Sequence, residues 1–188
     1  MLYTRKGDAG TTKVLDSKER FSKASVMAEA LGCLDELNSF LGVCKFKARQ
    51  TQEGGVKLGR KGMLTSDILR EVQESLFIIQ AQVAGADKKI VSGKVKKLEQ
   101  IVDVIEGEIP PLKGFSIAGG TELSALLDVA RTIARRTERR IIAVHDSGER
   151  KLTAHTLAYL NRLSSLLFAL ARLSNHRSGI TEELPSYR

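Results

Sequence analysis

Residues 121–144 read TELSALLDVARTIARRTERRIIAV. Leu123, Leu126, Leu127, Ala130, Ile133, Ala134 and Ile141 recur at spacings of three and four, which puts them on one face of an α-helix and rules out the twofold alternation of a strand. Thr121 suits the N-cap, because its hydroxyl can accept from an amide of the first turn that has no partner within the helix. The spacing predicts a helix from Glu122 to about Val144.

The same period recurs on either side of it. Met27, Ala30, Leu31, Leu34, Leu37 and Leu41 predict a first helix over about 22–47. Ile68, Val72, Leu76, Ile79 and Val83 predict a second over about 64–86. A third opens at Ser92, a plausible cap, carries Val95, Leu98, Val102 and Ile105, and ends at Pro110-Pro111, which cannot continue a helix. The fifth runs from about Leu152 to His176 on Leu157, Leu160, Leu163, Leu167, Leu170 and Ala171. Residues 48–63, ARQTQEGGVKLGRKGM, lack an apolar period and read as a long exposed connection. No alternating stretch of useful length competes. The predicted class is therefore all-α: a five-helix bundle with mostly short links and ferritin-like up-down packing, preceded by an ordered Gly-rich loop.

The chain has 188 residues, 42% of them hydrophobic, enough for one good core and a single domain. Its parts are a leader over 1–21, the bundle over 22–177 and a tail over 178–188. No apolar run approaches the roughly 18 residues of a membrane span, and the amino end does not look like a secretion signal. A soluble, cytoplasmic or matrix-like protein is expected. Cys33 and Cys44 are expected as a buried, reduced pair, and the histidines show no metal-ligand spacing, so no side-chain metal site is expected. A net charge of +8 calls for a polyanionic partner. With no Trp and 5% aromatics, base-stacking platforms are scarce.

Three polar clusters are not needed by a bundle. The leader YTRKGDAGTTK, residues 3–13, combines glycines, hydroxyls and cations. Glycine lets amides converge on an anion while lysines and hydroxyls add charge and donors, which are the needs of a triphosphate. A frayed, solvated terminus is the alternative. The second cluster is the arginines of the fourth helix, where Arg131, Arg135 and Glu138 share a face and Arg136, Arg139 and Arg140 flank it. Guanidinium forks grip phosphate bidentately; a solvated basic face is the alternative. The third comprises Asp35, Glu36 and Asn38 in LGCLDELNSFLG, with Asn161 and Arg162 in YLNRLSSLLFALAR. An Asp among leucines is costly unless paired, and Arg131 is a candidate partner. Asn161 both donates and accepts, as a ribose or adenine edge requires.

In this order, YTRKGDAGTT, LGCLDELNSFLG, AGGTELSALLDVARTIARRTERRII and YLNRLSSLLFALAR resemble the propanediol-utilisation type of ATP:cob(I)alamin adenosyltransferase over nearly the whole chain. The resemblance implies a transferase that moves the 5′-deoxyadenosyl group of ATP to the cobalt of a corrinoid. It also implies a trimer with each active site between subunits, and Mg2+ accompanying the nucleotide. ATP would be held by Thr4, Arg5, Lys6, Gly7, Thr12, Lys13 and Lys23, facing Arg135, Arg136, Glu138, Arg139 and Asn161. Asp35 and Arg131 fall where the family places an intersubunit ion pair. Phe115 falls where an aromatic ring presses on the lower face of the corrin; a loop-end core anchor is its alternative role. A cobalamin reductase and an adenosylcobalamin-dependent acceptor enzyme are implied partners, with no nucleic acid and no membrane. Lys6, Ala118 and Ser165 depart from the family's usual residues. The rival reading is a basic helical bundle that binds nucleic acid or serves as a scaffold.

Overall fold

A computed structural model describes residues 2–14, 19–51, 55–58, 61–112 and 114–187. Five helices carry the fold: α1 (Val26–Gln50), α2 (Thr65–Ala84), α3 (Ser92–Glu108), α4 (Glu122–Asp146) and α5 (Ala154–Arg177). Three open on a hydroxyl cap. Ser25, Thr121 and Thr153 sit in extended backbone, and each side chain accepts from the amide three residues on. The start of α1 thus falls at Val26, not Ser22, because Ser22 is committed to strand pairing with Thr11. Ser92 does not cap α3; it is the first helical residue, behind a Val91 that offers no side-chain cap. Gly85 ends α2 with φ +106, its own amide and that of Ala86 turning back to the Ala81 carbonyl, a backbone that a residue with Cβ adopts only under strain. The extended conformation of Ile109, enforced by Pro110, ends α3.

The side-chain contacts define the packing order. Along the α1–α4 seam Cys33 meets Thr137, Glu29 meets Arg140 and Lys47 meets Glu122, so the two helices are antiparallel. Asn38 and Lys45 of α1 meet Gln73 of α2, and Glu71 and Ser75 of α2 meet Lys97 and Lys94 of α3. Alpha5 runs antiparallel to α4, pairing Asn161 with Glu138 and Ser174 with Thr121, and parallel to α3, pairing Arg162 with Glu99 and Arg177 with Glu108. The result is an up-down bundle in which α4 and α3 flank α5. Leu34, Leu37, Leu41, Leu76, Ile79, Ile105, Leu127, Leu163 and Leu167 are wholly or almost wholly buried at its centre. Each such side chain contributes roughly 1.5–3 kcal/mol by leaving water.

Two short antiparallel strand pairs depart from the all-helical expectation. Within the 48–63 connection, β3 (Val56–Leu58) pairs with β4 (Lys61–Met63), and Val56 is fully buried, so the stretch is not simply exposed. In the leader, β1 (Thr11–Thr12) pairs with β2 (Phe21–Ser22).

Cys33 and Cys44 are buried and free. Burial pushes the Cys44 thiol up to about 12 from an ordinary 9.0, and burial likewise raises Cys33, with Glu29 adding to it. Because the folded pKa of Cys44 is raised, its contribution to stability is complete below pH 9.0 and is lost as pH climbs from there toward about 12. The native protein should therefore resist thiol labelling at mildly alkaline pH and label at both cysteines once unfolded, and thiol titration with and without denaturant checks this.

Candidate active site

The leader is a folded hairpin, not a frayed end. Thr11 and Thr12 pair with Ser22 and Phe21, and the turn before them closes through Gly10 N–H to the Gly7 carbonyl at 3.2 Å. Arg20 braces it from within: Nε donates to Thr11 Oγ1 at 2.9 Å, and Nη2 donates to the carbonyls of Lys6 and Thr11. Lys23 Nζ donates to the Gly7 carbonyl at 2.9 Å, so this predicted ligand is held against the loop it was expected to serve. Arg5 takes φ +58, a left-handed conformation uncommon for a residue with Cβ, and its guanidinium lies 5.4 Å from the Tyr3 ring centroid. Thr4, Lys6, Lys13 and Lys23 are exposed, while Gly7 and Thr12 are half-buried. Between the hairpin and the α1–α2 seam lies an open cavity of about 530 Å³, lined by Thr12, Lys13 and Lys23 above and by Leu31, Phe77 and Gln80 below.

The arginines of α4 divide by function. Arg136 and Arg140 turn toward α1 and pair with Glu36 and with Glu29, the latter at 3.4 Å. The Glu36 contact holds Arg136 above its ordinary pKa, although both groups are well solvated and the pair contributes little to stability. Arg131 donates to Asp128 at 3.0 Å, one turn back on its own helix, and lies 5.7 Å from the Phe168 ring centroid. Among the described residues, the ion pairs of the α4 arginines are those of Arg131, Arg136 and Arg140, and Arg135 and Arg139 make none. Glu138 accepts from Asn161 at 2.9 Å, and Asn161 accepts from Arg162 at 2.6 Å. Arg135, Glu138 and Asn161 thus belong to the α4–α5 seam, and the leader to the α1–α2 seam, while Arg139 is exposed on α4. Asp35 is exposed, so within one chain it bears no desolvation cost and does not need Arg131; only a covered surface would create that need. Asn38 is buried, and its side-chain oxygen has no partner among the described residues.

Phe115 lies on the connection from α3 to α4 and is 82% exposed, which excludes its alternative role as a core anchor. It rims a cavity of about 520 Å³ together with Arg131, Arg135, Ser164, Ser165 and Phe168. Four residues that the sequence singled out therefore share one cavity: Phe115, Arg131, Arg135 and Ser165, the last being one of the departures. Sequence reading missed Phe168, which is masked by its leucine-rich surroundings, and the polar residues that hold the loop. Asn175, buried near the end of α5, accepts from Thr121 N–H at 2.9 Å and donates to the Gly119 carbonyl at 2.8 Å.

The bundle thus sets an ordered Gly-Thr loop on one seam, and on another a cavity that combines arginine with aromatic rings. Residues 2–174 match the family model for cobalamin adenosyltransferase, and the chain belongs to that family. The corrinoid adenosyltransferase of Bacillus subtilis is 39% identical over 185 residues, covering 95% of this chain and 89% of that protein. Corrinoid adenosyltransferase PduO of Citrobacter freundii is 36% identical over 182 residues, 93% of this chain, which spans 50% of that protein's length. A variant PduO-type ATP:corrinoid adenosyltransferase from Lactobacillus reuteri, complexed with cobalamin and ATP, superposes with a TM-score of 0.83 at 30% identity, covering 99% of both chains. A second variant of the same enzyme, complexed with ATP, gives 0.82 at 30% identity over 98% of this chain and 99% of that one. These likenesses do not favour the nucleic-acid or scaffold reading. No helix among the described residues is long and apolar enough to cross a membrane.

The loop's geometry sets a test. Gly120 has φ +107, and a Cβ there would come within 2.3 Å of Asn175 Oδ1. Gly120→Ala should destabilise the fold by about 1–3 kcal/mol, read from the denaturation midpoint, with helix content unchanged.

Proposed function

We propose that this chain transfers the 5′-deoxyadenosyl group of ATP to the cobalt of a reduced corrinoid and releases triphosphate. The carrying observation is the cavity where Arg135, which has no acidic partner among the described residues, meets the exposed Phe115. Cobalt(I) attacks the ribose 5′ carbon; the cobalt–carbon bond forms with the metal's electron pair, and the carbon–oxygen bond breaks with its pair passing to triphosphate. So strong a nucleophile needs no general base. The protein's task is positioning, exclusion of water and neutralisation of charge on the leaving group.

Arg135 and Arg139 neutralise the triphosphate, and Gly7, Thr4, Thr12, Lys6 and Lys13 of the leader form the other wall of its pocket. Glu138 and Asn161, already bonded to each other, orient the nucleoside. Mg2+ would enter on the phosphate oxygens, as such ions usually do. Phe115 occupies the corrin's lower face and favours four-coordinate cobalt(II), which is more readily reduced.

The site is completed between subunits of a homotrimer. Support comes from the separation of the two walls onto different seams and from exposed apolar residues on the outer faces of α1 and α4, among them Val43 at 49%, Phe46 at 63% and Val129 at 46%. Asp35, on the same outer face of α1, pairs with Arg131 of a neighbouring subunit. A cytoplasmic setting, a supplying reductase and an adenosylcobalamin-dependent acceptor complete the reading.

Arg135→Ala should lose about 2–4 kcal/mol of transition-state stabilisation in steady-state kinetics with ATP, Mg2+ and reduced cobalamin. Mixed with Lys23→Ala subunits it should recover part of the activity, because some interfaces then combine an intact leader with an intact helix; full activity of the single variant would overturn its role. Phe115→Ala should bind ATP normally in calorimetry yet form little four-coordinate cobalt(II), and an unchanged paramagnetic resonance spectrum would contradict that.

A further inference from the structure

A side chain that is 82% exposed cannot be placed by its own packing. The position of Phe115 is inherited from the backbone on either side; Asn175 holds it at Gly119 and Thr121, and its remaining polar anchors lead to one buried cation. Arg172 of α5, 8% exposed, donates Nη2 to the Pro110 carbonyl at 2.8 Å, at the start of the loop. Its fork grips the Glu182 carboxylate at 2.7 and 2.9 Å. The next residue of the tail, Glu183, accepts from Ile117 N–H at 2.8 Å, two residues beyond Phe115. The guanidinium also lies 6.0 Å from the centroid of Phe168, whose ring lines the same cavity.

We propose that Arg172 and Glu182 are positioning residues that fix the Phe115 loop over its cavity, with the C-terminal tail as the strap; this rests on the role given to Phe115. The partly buried pair, with side chains 9% and 23% exposed, is bidentate and charge-assisted, the strong form of such a contact. It ties the loop's first turn to the tail, and the tail's backbone ties down the loop's far side. When the carboxylate lets go, both anchors loosen while the nucleotide residues on the α4–α5 seam and in the leader are untouched.

The test uses Glu182→Gln and Glu182→Asp in the full chain. Glu182→Gln should speed hydrogen exchange of the segment spanning residues 114–118 by about tenfold, the loss expected for a charged hydrogen bond. It should raise the corrinoid KM by a similar factor, leave ATP affinity unchanged in calorimetry, and lower the four-coordinate cobalt(II) signal. Glu182→Asp, which keeps the charge, should restore much of each; if Glu182→Gln fails to fold, Glu182→Asp and Arg172→Lys are compared with wild type on the same readouts. Wild-type corrinoid KM and cobalt(II) signal, or wild-type exchange, in the variant compared overturns the strap. Phe115→Ala, run in parallel, separates the two readings: if it loses the signal while the strap variant keeps it, only the strap fails, and if it keeps the signal, both fail.

Discussion

The burial of α5 governs the arrangement of everything else. From Leu163 to Asn175 nearly every side chain is buried, including Arg172, Ser174 and Asn175. A helix enclosed on all sides must be flanked by neighbours, here α4 on one side and α3 on the other. The connection between those neighbours therefore has to cross the end of α5. Its polar backbone needs partners there, and Asn175 and Arg172 supply them. The exposed Phe115 thus hangs from buried residues of α5.

The same logic sorts the arginines. Alpha4 packs against α1 along one stripe and against α5 along another, and its cations fall on the margins of both. Where the margin meets α1, the carboxylates of Glu29 and Glu36 neutralise Arg140 and Arg136. Where it meets α5, the facing residues are Asn161, Ser164 and Ser165, which offer hydrogen bonds but no charge. Among the described residues Arg135 has no carboxylate partner on that margin, and an anion there would gain interactions that the protein has not already used.

Much of this was legible in the residue order. Leucine spacing located all five helices, and Thr121 as a cap fixed the start of α4. The misplacements have local physical causes. Strands of two or three residues, such as Thr11–Thr12 and Val56–Leu58, are too short to show alternation. Phe115 could be named but not placed, since exposure on a loop depends on what the loop crosses. Arg172 and Asn175 interrupt a leucine-rich helix just as surface residues would, and only the three-dimensional crossing reveals them as buried. The partner expected for Asp35 lies on another chain; within one chain the residue faces outward and Arg131 pairs with Asp128, an i to i+3 contact that spacing alone could have shown.

That exposure bears on how a complete site could be assembled. The leader rests on the α1–α2 seam, while the unpaired guanidiniums and Phe115 belong to α4, α5 and the loop between α3 and α4. A rearrangement that joined them within one chain would have to strip the hairpin from its cavity, where Thr12, Lys13 and Lys23 face Leu31 and Phe77 of α1 and α2. Association of intact subunits leaves the hairpin in place. It would also cover Val43, Phe46 and Val129 and give Asp35 the buried setting in which an opposite charge becomes necessary. Under the proposed assembly of folded chains, the spare charge on the outside of α1 belongs to the same argument as the glycines of the leader.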